Sequence, residues 1–467
     1  MGEDIATSGF TPADFERFSQ ALATETQILR DLFALGGLSE SPPTIGFEVE
    51  CWILDHNYFP APINQGVLSA LNHPLVVPEL SRFNLELNCE PLRLSVGALD
   101  AAEKALGDLW AYCNETAHRL DANMVMIGTL PTIRDADMSL ANISPLNRYH
   151  ALNREVLRQR GGAALNVDIL GRDHLVSSHR DVMLEAATTS FQIHLKPPAS
   201  KAHLYYNASI AASGPILAAC GNAPLLFGKS LWDETRIPLF EQAVVTPGRA
   251  RVTMGAGYAA SCLDLFEENI RDYPPLLPIH YDEPPERLRH LRLHNGVIWR
   301  WNRPLVGFDA DGTPHLRIEH RILPSGPTIA DMIANTALYL GLARDLAEGG
   351  DAGHGGLAFA DALTNFYAAA RHGLAAELVW PGLGALPAGR LLCDHLLPRA
   401  RAGLAAFGVD GDAWLDLVEA RIASGQTGAV WQRHAHAACG GDLFQLMAAY
   451  CERQRSGAPV HQWEAMI

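Results

Sequence analysis

Ile45-Gly46-Phe47-Glu48-Val49-Glu50-Cys51-Trp52 alternates apolar and polar residues over most of its length. Successive side chains of an extended strand point to opposite faces, so residues two apart share one. Ile45, Phe47, Val49 and Cys51 make an apolar face, and Glu48 and Glu50 stand on the other. Three further segments repeat the pattern. Residues 84–90 oppose Leu85, Leu87 and Cys89 to Asn84, Glu86, Asn88 and Glu90. Residues 190–196 bring Gln192, His194 and Lys196 together, and residues 316–322 do the same for Arg317, Glu319 and Arg321.

Half-exposed antiparallel strands ordinarily turn a polar face to water, which is the simplest reading of any one segment. Such faces usually mix lysine, threonine, serine and glutamate. The first two strands instead carry carboxylates with no basic partner. Glutamates two apart repel each other unless a cation lies between them. In one sheet, the four segments would gather Glu48, Glu50, Glu86, His194 and Glu319. That oxygen-rich set with one imidazole suits Mg²⁺ or Mn²⁺. Arg317, Arg321 and Lys196 would add positive charge for phosphates. The common sheet is an expectation, because alternation does not establish pairing.

Outward from these strands, Thr11-Pro12-Ala13-Asp14 reads as a capped helix start, with Gly36-Gly37 as its stop. Residues 44–323 mix short strands with helices, among them one over residues 100–121. Residues 272–285, rich in proline and acids, read as a surface loop. After Thr328 the periodicity becomes helical, and the glycine-rich residues 348–356 are the best linker. The expected division is therefore a catalytic part over residues 1–345, including the N-terminal helix, and a helical region over residues 346–467, either a separate small domain or a pack of helices lying on the catalytic part.

The 467 residues, 48% hydrophobic and 19% charged, are those of a globular chain. A net charge of −16, from 36 Lys+Arg against 52 Asp+Glu, disfavours nucleic acid and anionic membranes as partners. Local Mg²⁺ would still admit ATP. The opening MGEDIATSGF has no apolar core, so no secretory leader is expected. The uncharged residues 209–228 contain Pro215, Asn222 and Pro224 and read as a buried helix and turn rather than a membrane span. The eight cysteines show no CxxC spacing, which favours reduced thiols in a cytoplasmic protein. Gly255-Ala256-Gly257 lacks the rest of a dinucleotide fingerprint, and GxxxxGK[ST], HExxH and GxSxG are absent. His434 and His436, two apart in the helical tail, read as core or surface residues.

In order along the chain, these pieces resemble the glutamate–cysteine ligase type 2 family of carboxylate–amine ligases, in the glutamine synthetase superfamily. Gly46-Phe47-Glu48-Val49-Glu50 is similar to the family's G-x-E-x-E strand, Leu85-Glu86-Leu87-Asn88 to its second glutamate strand, and Phe191-Gln192-Ile193-His194-Leu195 to its histidine strand. Residues 223–228 resemble a turn after a long helix. Arg317-Ile318-Glu319-His320-Arg321 resembles the R-x-E-x-R strand, and Thr427-Gly428-Ala429-Val430-Trp431-Gln432 a T-G-A-x-x-Q segment. The resemblance covers roughly residues 44–435. Lys196 stands where many members have a second histidine, and Phe191 replaces a small residue.

The resemblance implies an α+β fold: a largely antiparallel curved sheet with a concave active-site face, helices on the other face and a helical C-terminal region. It implies an ADP-forming ligase that joins an amino-acid carboxylate, such as glutamate, to an amine, such as cysteine, through an acyl phosphate. Glu48, Glu50, Glu86, His194 and Glu319 would hold Mg²⁺. Arg321 and Arg317 would balance phosphate charge, and Glu50 belongs to the catalytic set. Lys196 joins Arg321 on the nucleotide. Arg236 matches an arginine that would hold a substrate carboxylate, with a surface salt bridge as the alternative. Tyr149 and Arg300 are further candidates for the substrate pocket, against plain packing roles. A phosphotransferase, or a binding protein on the same fold, are the competing functions. Substrate identity and a homo-oligomer are left open.

Overall fold

In the computed structural model, which describes residues 4, 5 and 8–464, the four segments lie in one antiparallel sheet. Residues 1–3, 6 and 7, part of the stretch read as lacking a leader, lie outside the described residues. Thr44–Leu54 is the central strand, with Ser190–Lys196 on one side and Asn84–Asn88 on the other. Pro314–Pro324 follows Ser190–Lys196, and Asn302–Phe308 and Val76–Pro78 form the two edges. The sheet curls into a half barrel.

Register makes one face acidic. Glu50 lies opposite Glu86, Glu48 lies between Asn88 and Gln192, and His194 lies between Gly46 and Glu319. Directly opposed residues of antiparallel strands share a face, so the acids of distant segments converge. A β-bulge between His320 and Leu323 interrupts the register just beyond Glu319. Phe47, Val49, Phe191, Ile193 and Ile318 are buried on the other face, and Phe47 stacks on Phe191 at 5.5 Å.

Helix Ala202–Cys220 packs on Pro314–Pro324, and helix Ile329–Glu348 packs on that helix in turn. His320, pointing away from the acids, stacks on Tyr339 of the second helix at 4.1 Å. Small residues set these distances: a Cβ at Gly403 would fall 1.9 Å from the Gly341 carbonyl oxygen. That approach joins helix Ile329–Glu348 directly to Leu397–Phe407 of the helical tail. The division expected between residues 345 and 346 thus falls inside a helix, and the glycine-rich segment after it is not slack. Asn207 Nδ2 donates to the Ala352 carbonyl at 2.9 Å. Composition marks glycine-rich chain; it does not show what packs against it. Among the described residues, no helix is long and apolar enough to cross a membrane.

The N-terminal helix Pro12–Leu35 starts where the Asp14 carboxylate accepts from the Thr11 N–H at 2.7 Å. It ends at Gly36, whose φ of 66° suits glycine. Its Phe18 ring meets His294 edge-on. Burial pushes the His294 imidazole down from 6.5 to about 4. The unfolded chain then binds the extra proton between those values, so this contribution to stability is whole above pH 6.5 and is lost as pH falls towards 4. Urea unfolding at pH 7 and pH 4.5 should show a loss of unfolding free energy that is smaller in His294→Leu, by on the order of 2 kcal/mol. Equal drops in both proteins would contradict this.

Candidate active site

Glu48, His194 and Glu319 bring ligand atoms within 4.8 Å of one another. His194 Nε2 lies 3.2 Å from Glu48 Oε1 and 3.9 Å from Glu319 Oε1. Burial alone would raise the Glu48 carboxyl, but His194, joined by Arg321, holds the group below its usual range. Glu319 is likewise lowered against burial, chiefly by Arg303 and then Arg321. Arg303 grips it with two hydrogen bonds, Nε to Oε2 at 2.8 Å and Nη2 to Oε1 at 3.0 Å. Such a fork fixes the carboxylate's orientation as well as its charge.

Glu50, Glu79 and Glu86 form a second triad, again within 4.8 Å. Glu50 accepts from the Ser190 N–H at 2.7 Å and Gln192 Nε2 at 3.0 Å. Burial, opposed by Arg321 and reinforced by Glu86, pushes Glu50 up to about 7. Burial and the neighbouring Glu86 and Glu50 push Glu79 well above the carboxylate range. Glu185 is raised to about 8, by burial and then by Glu50. Carboxylates that raise one another in this way are relieved by a cation. In the first triad, Glu48 Oε2 is buried with no hydrogen-bond partner. Both observations fit divalent cations at these positions.

Two cavities of about 660 and 640 Å³ adjoin over this face and share Glu48, Asn88, Arg292 and Arg317. Gly46 leaves the floor of the second open where a side chain would stand beside His194. Arg317 Nε donates to His194 Nδ1 at 3.1 Å. Metal ligation through Nε2 needs the proton on Nδ1, so Arg317 would have to leave the ring when a cation binds. Gly307 makes room for Arg317: a Cβ there would come 2.7 Å from Arg317 Nη1 and 2.4 Å from His315 Nε2. Gly307→Ala should therefore displace both side chains and lower kcat/KM by about tenfold to a hundredfold, the range for misplaced groups. An unchanged kcat/KM in a folded variant would contradict that role for Arg317.

The other expected residues are scattered. Arg321 lies on the acidic face, donates to Gln192 Oε1 and pairs with Glu319 at 3.2 Å. Lys196 lines the second cavity, but its ammonium is held by Asp309 and the Ser41 hydroxyl, each at 2.7 Å. Tyr149 lines the first cavity, and its hydroxyl donates to the Pro78 carbonyl. Arg300 lies outside both cavity linings, buried against Glu268 and Asn269. Arg236 is also outside them; it pairs with buried Glu234 at 3.0 Å and donates to the Ile322 and Arg321 carbonyls. Glu79, Glu185 and Arg292 were not singled out from the sequence. Glu79 lies just after the edge strand and Glu185 in the short helix Met183–Ala187, where no two-residue alternation flags them.

Solved structures sharing the architecture include these two. One is glutamate–cysteine ligase from Francisella tularensis in complex with AMP, at a TM-score of 0.52 and 14% identity, covering 90% of each chain. The other is a bifunctional glutathione synthetase from Pasteurella multocida, at a TM-score of 0.55 and 10% identity, covering 92% of this chain and 54% of that one. The present chain thus spans about half the length of the Pasteurella protein. No curated protein sequence matches the chain. These likenesses, at 10–14% identity, show the fold. The model of Glutamate-cysteine ligase family 2 matches residues 44–449, and the chain belongs to that family.

Proposed function

We propose that the protein joins an amino-acid carboxylate to an amine with conversion of ATP to ADP and phosphate, through an acyl phosphate. Glutamate and cysteine are the first pair to test. The observation that most supports this reading is the convergence of two ligand triads on one face, under cavities roomy enough for a nucleotide and an acid. Glu48, His194 and Glu319 would hold one Mg²⁺ or Mn²⁺, and Glu50, Glu79 and Glu86 another. Bound there, the cations would screen the ATP phosphates and make the γ-phosphorus more electrophilic.

The chain's own groups do the rest. Arg317, common to both cavities, would move from His194 to balance phosphate charge. Arg303 and Arg321 keep Glu319 ionised and oriented. Lys196 would meet the nucleotide from the wall of the second cavity, and Tyr149 the acid from the wall of the first. The substrate carboxylate oxygen bonds to the γ-phosphorus as ADP departs; the amine nitrogen then bonds to the acyl carbon as phosphate departs. Arg236 and Arg300 are proposed as supports of this machinery rather than substrate contacts, since buried carboxylates and backbone carbonyls already engage them. The setting proposed is the cytoplasm, with small amino acids and amines as partners.

An ATP-hydrolysis screen with Mg²⁺ over acid–amine pairs, read by mass spectrometry, tests the proposal. ADP, phosphate and an amide should appear together, and only with both substrates present. A phosphorylated acid accumulating without need of an amine would overturn it in favour of a phosphotransferase.

A further inference from the structure

A third cavity, of about 510 Å³, shares no lining residue with the two over the acidic face. It lies where the hairpin of strands Leu165–Leu170 and His174–His179 meets helices Phe359–His372 and Gly428–Ala438. Its volume falls in the range of about 300–1,000 Å³ usual for small-ligand pockets. Arg172, Arg371 and His372 are exposed at its rim, while Arg433 and Asp233 are buried in its lining. Three guanidiniums thus face one carboxylate, in a chain whose net charge is −16. A concave positive patch on so acidic a protein runs against its background field.

The positive groups are held in place. Arg371 lies over the Trp232 ring at 5.1 Å and donates to the Leu170 carbonyl at 2.9 Å. Arg433 pairs with Asp233 and donates to the Leu231 carbonyl at 3.0 Å, and its Nε is buried with no hydrogen-bond partner. Gly373, at a φ of 53°, admits the Asp233 carboxylate: a Cβ there would lie 2.3 Å from Asp233 Oδ2. The carboxyl end of helix Phe359–His372 opposes an anion here, but its half charge is small beside three guanidiniums.

We propose that this cavity binds a small dianion, a dicarboxylate or a phosphate, independently of the acidic cleft. Guanidinium forks suit both kinds of anion. Arg172 and Arg371 would grip it from the rim, and Arg433, held on Asp233 and the Leu231 carbonyl, would add positive charge from below. The site and the cleft share one segment, since Asp233 is followed by Glu234, which holds Arg236 under the Arg321 carbonyl.

Calorimetric titration of the full chain at constant ionic strength, with inorganic phosphate in one arm and succinate in the other, tests this. The variants are Arg172→Ala/Arg371→Ala, both exposed positions, and Arg317→Ala in the cleft, each first shown by circular dichroism to be folded. Binding should weaken by about tenfold or more in the rim variant, the effect of losing charge-assisted hydrogen bonds, and persist in Arg317→Ala. Binding of phosphate alone would support a phosphate-bearing ligand, and of succinate alone a dicarboxylate. Binding of neither, equal binding by the rim variant, or loss confined to Arg317→Ala would overturn the proposal. Because the readout is binding, it stands or falls apart from the ligase activity.

Discussion

Glu48→Gln is expected to lose about 10³-fold in kcat/KM, near 4 kcal/mol at 1.36 kcal/mol per tenfold, while remaining folded. The two halves of that result have separate causes. Glu48 faces His194 and Glu319 in the first triad, and a cation site that loses a charged ligand loses the charge stabilisation the metal would provide. Its Oε2, however, is already buried without a hydrogen-bond partner, so neutralising the group removes a desolvated charge from the apo protein. The unfolding free energy should fall by no more than about 1–2 kcal/mol, because the amide oxygen still faces His194 Nε2 while the charge that His194 holds ionised is lost. Full activity would remove Glu48 from the mechanism, and a collapse of stability would make it a structural residue.

Arg303→Met should lose stability as well as activity, stability falling by about 3–5 kcal/mol because a buried carboxylate loses its partner. Glu319 and Arg303 are both nearly inaccessible, and their side chains meet through two parallel hydrogen bonds. Arg321, at 3.2 Å, covers only part of the charge left behind. The double variant Arg303→Met/Glu319→Leu should recover most of the stability, since neither charge is then stranded, and should stay inactive. Denaturant unfolding of the three proteins checks this. A single variant as stable as wild type would show that Glu319 does not depend on Arg303.

The strands were legible because extended chain writes its two faces into the sequence at a period of two, and Glu48, Glu50, Glu86, His194 and Glu319 fell on one of them. Pairing was not legible, yet the register that sets His194 beside Glu319 is what turns scattered acids into a site. Glu79 and Glu185 were invisible for the converse reason: they reach the second triad from outside the regular strands. Lys196 has the expected direction but not the expected freedom, because Asp309, more than a hundred residues away, meets its ammonium. Thr427-Gly428-Ala429-Val430-Trp431-Gln432 was legible as a motif without its reason. Thr427 caps helix Gly428–Ala438, Gln432 holds Asn222, and a Cβ at Gly428 would strike the Asn222 side chain at 2.1 Å. That segment locks the helical tail onto the turn after helix Ala202–Cys220, a packing role that no spacing rule encodes.

Manganese binding to the nucleotide-free chain, followed by electron paramagnetic resonance, is the most direct check that the acidic face is a cation site. Wild type should bind Mn²⁺ at both triads; Glu50→Gln/Glu86→Gln should lose one site, and Glu48→Gln/Glu319→Gln the other. Folded variants that bind Mn²⁺ as wild type does, or a wild type that binds none, would contradict the account.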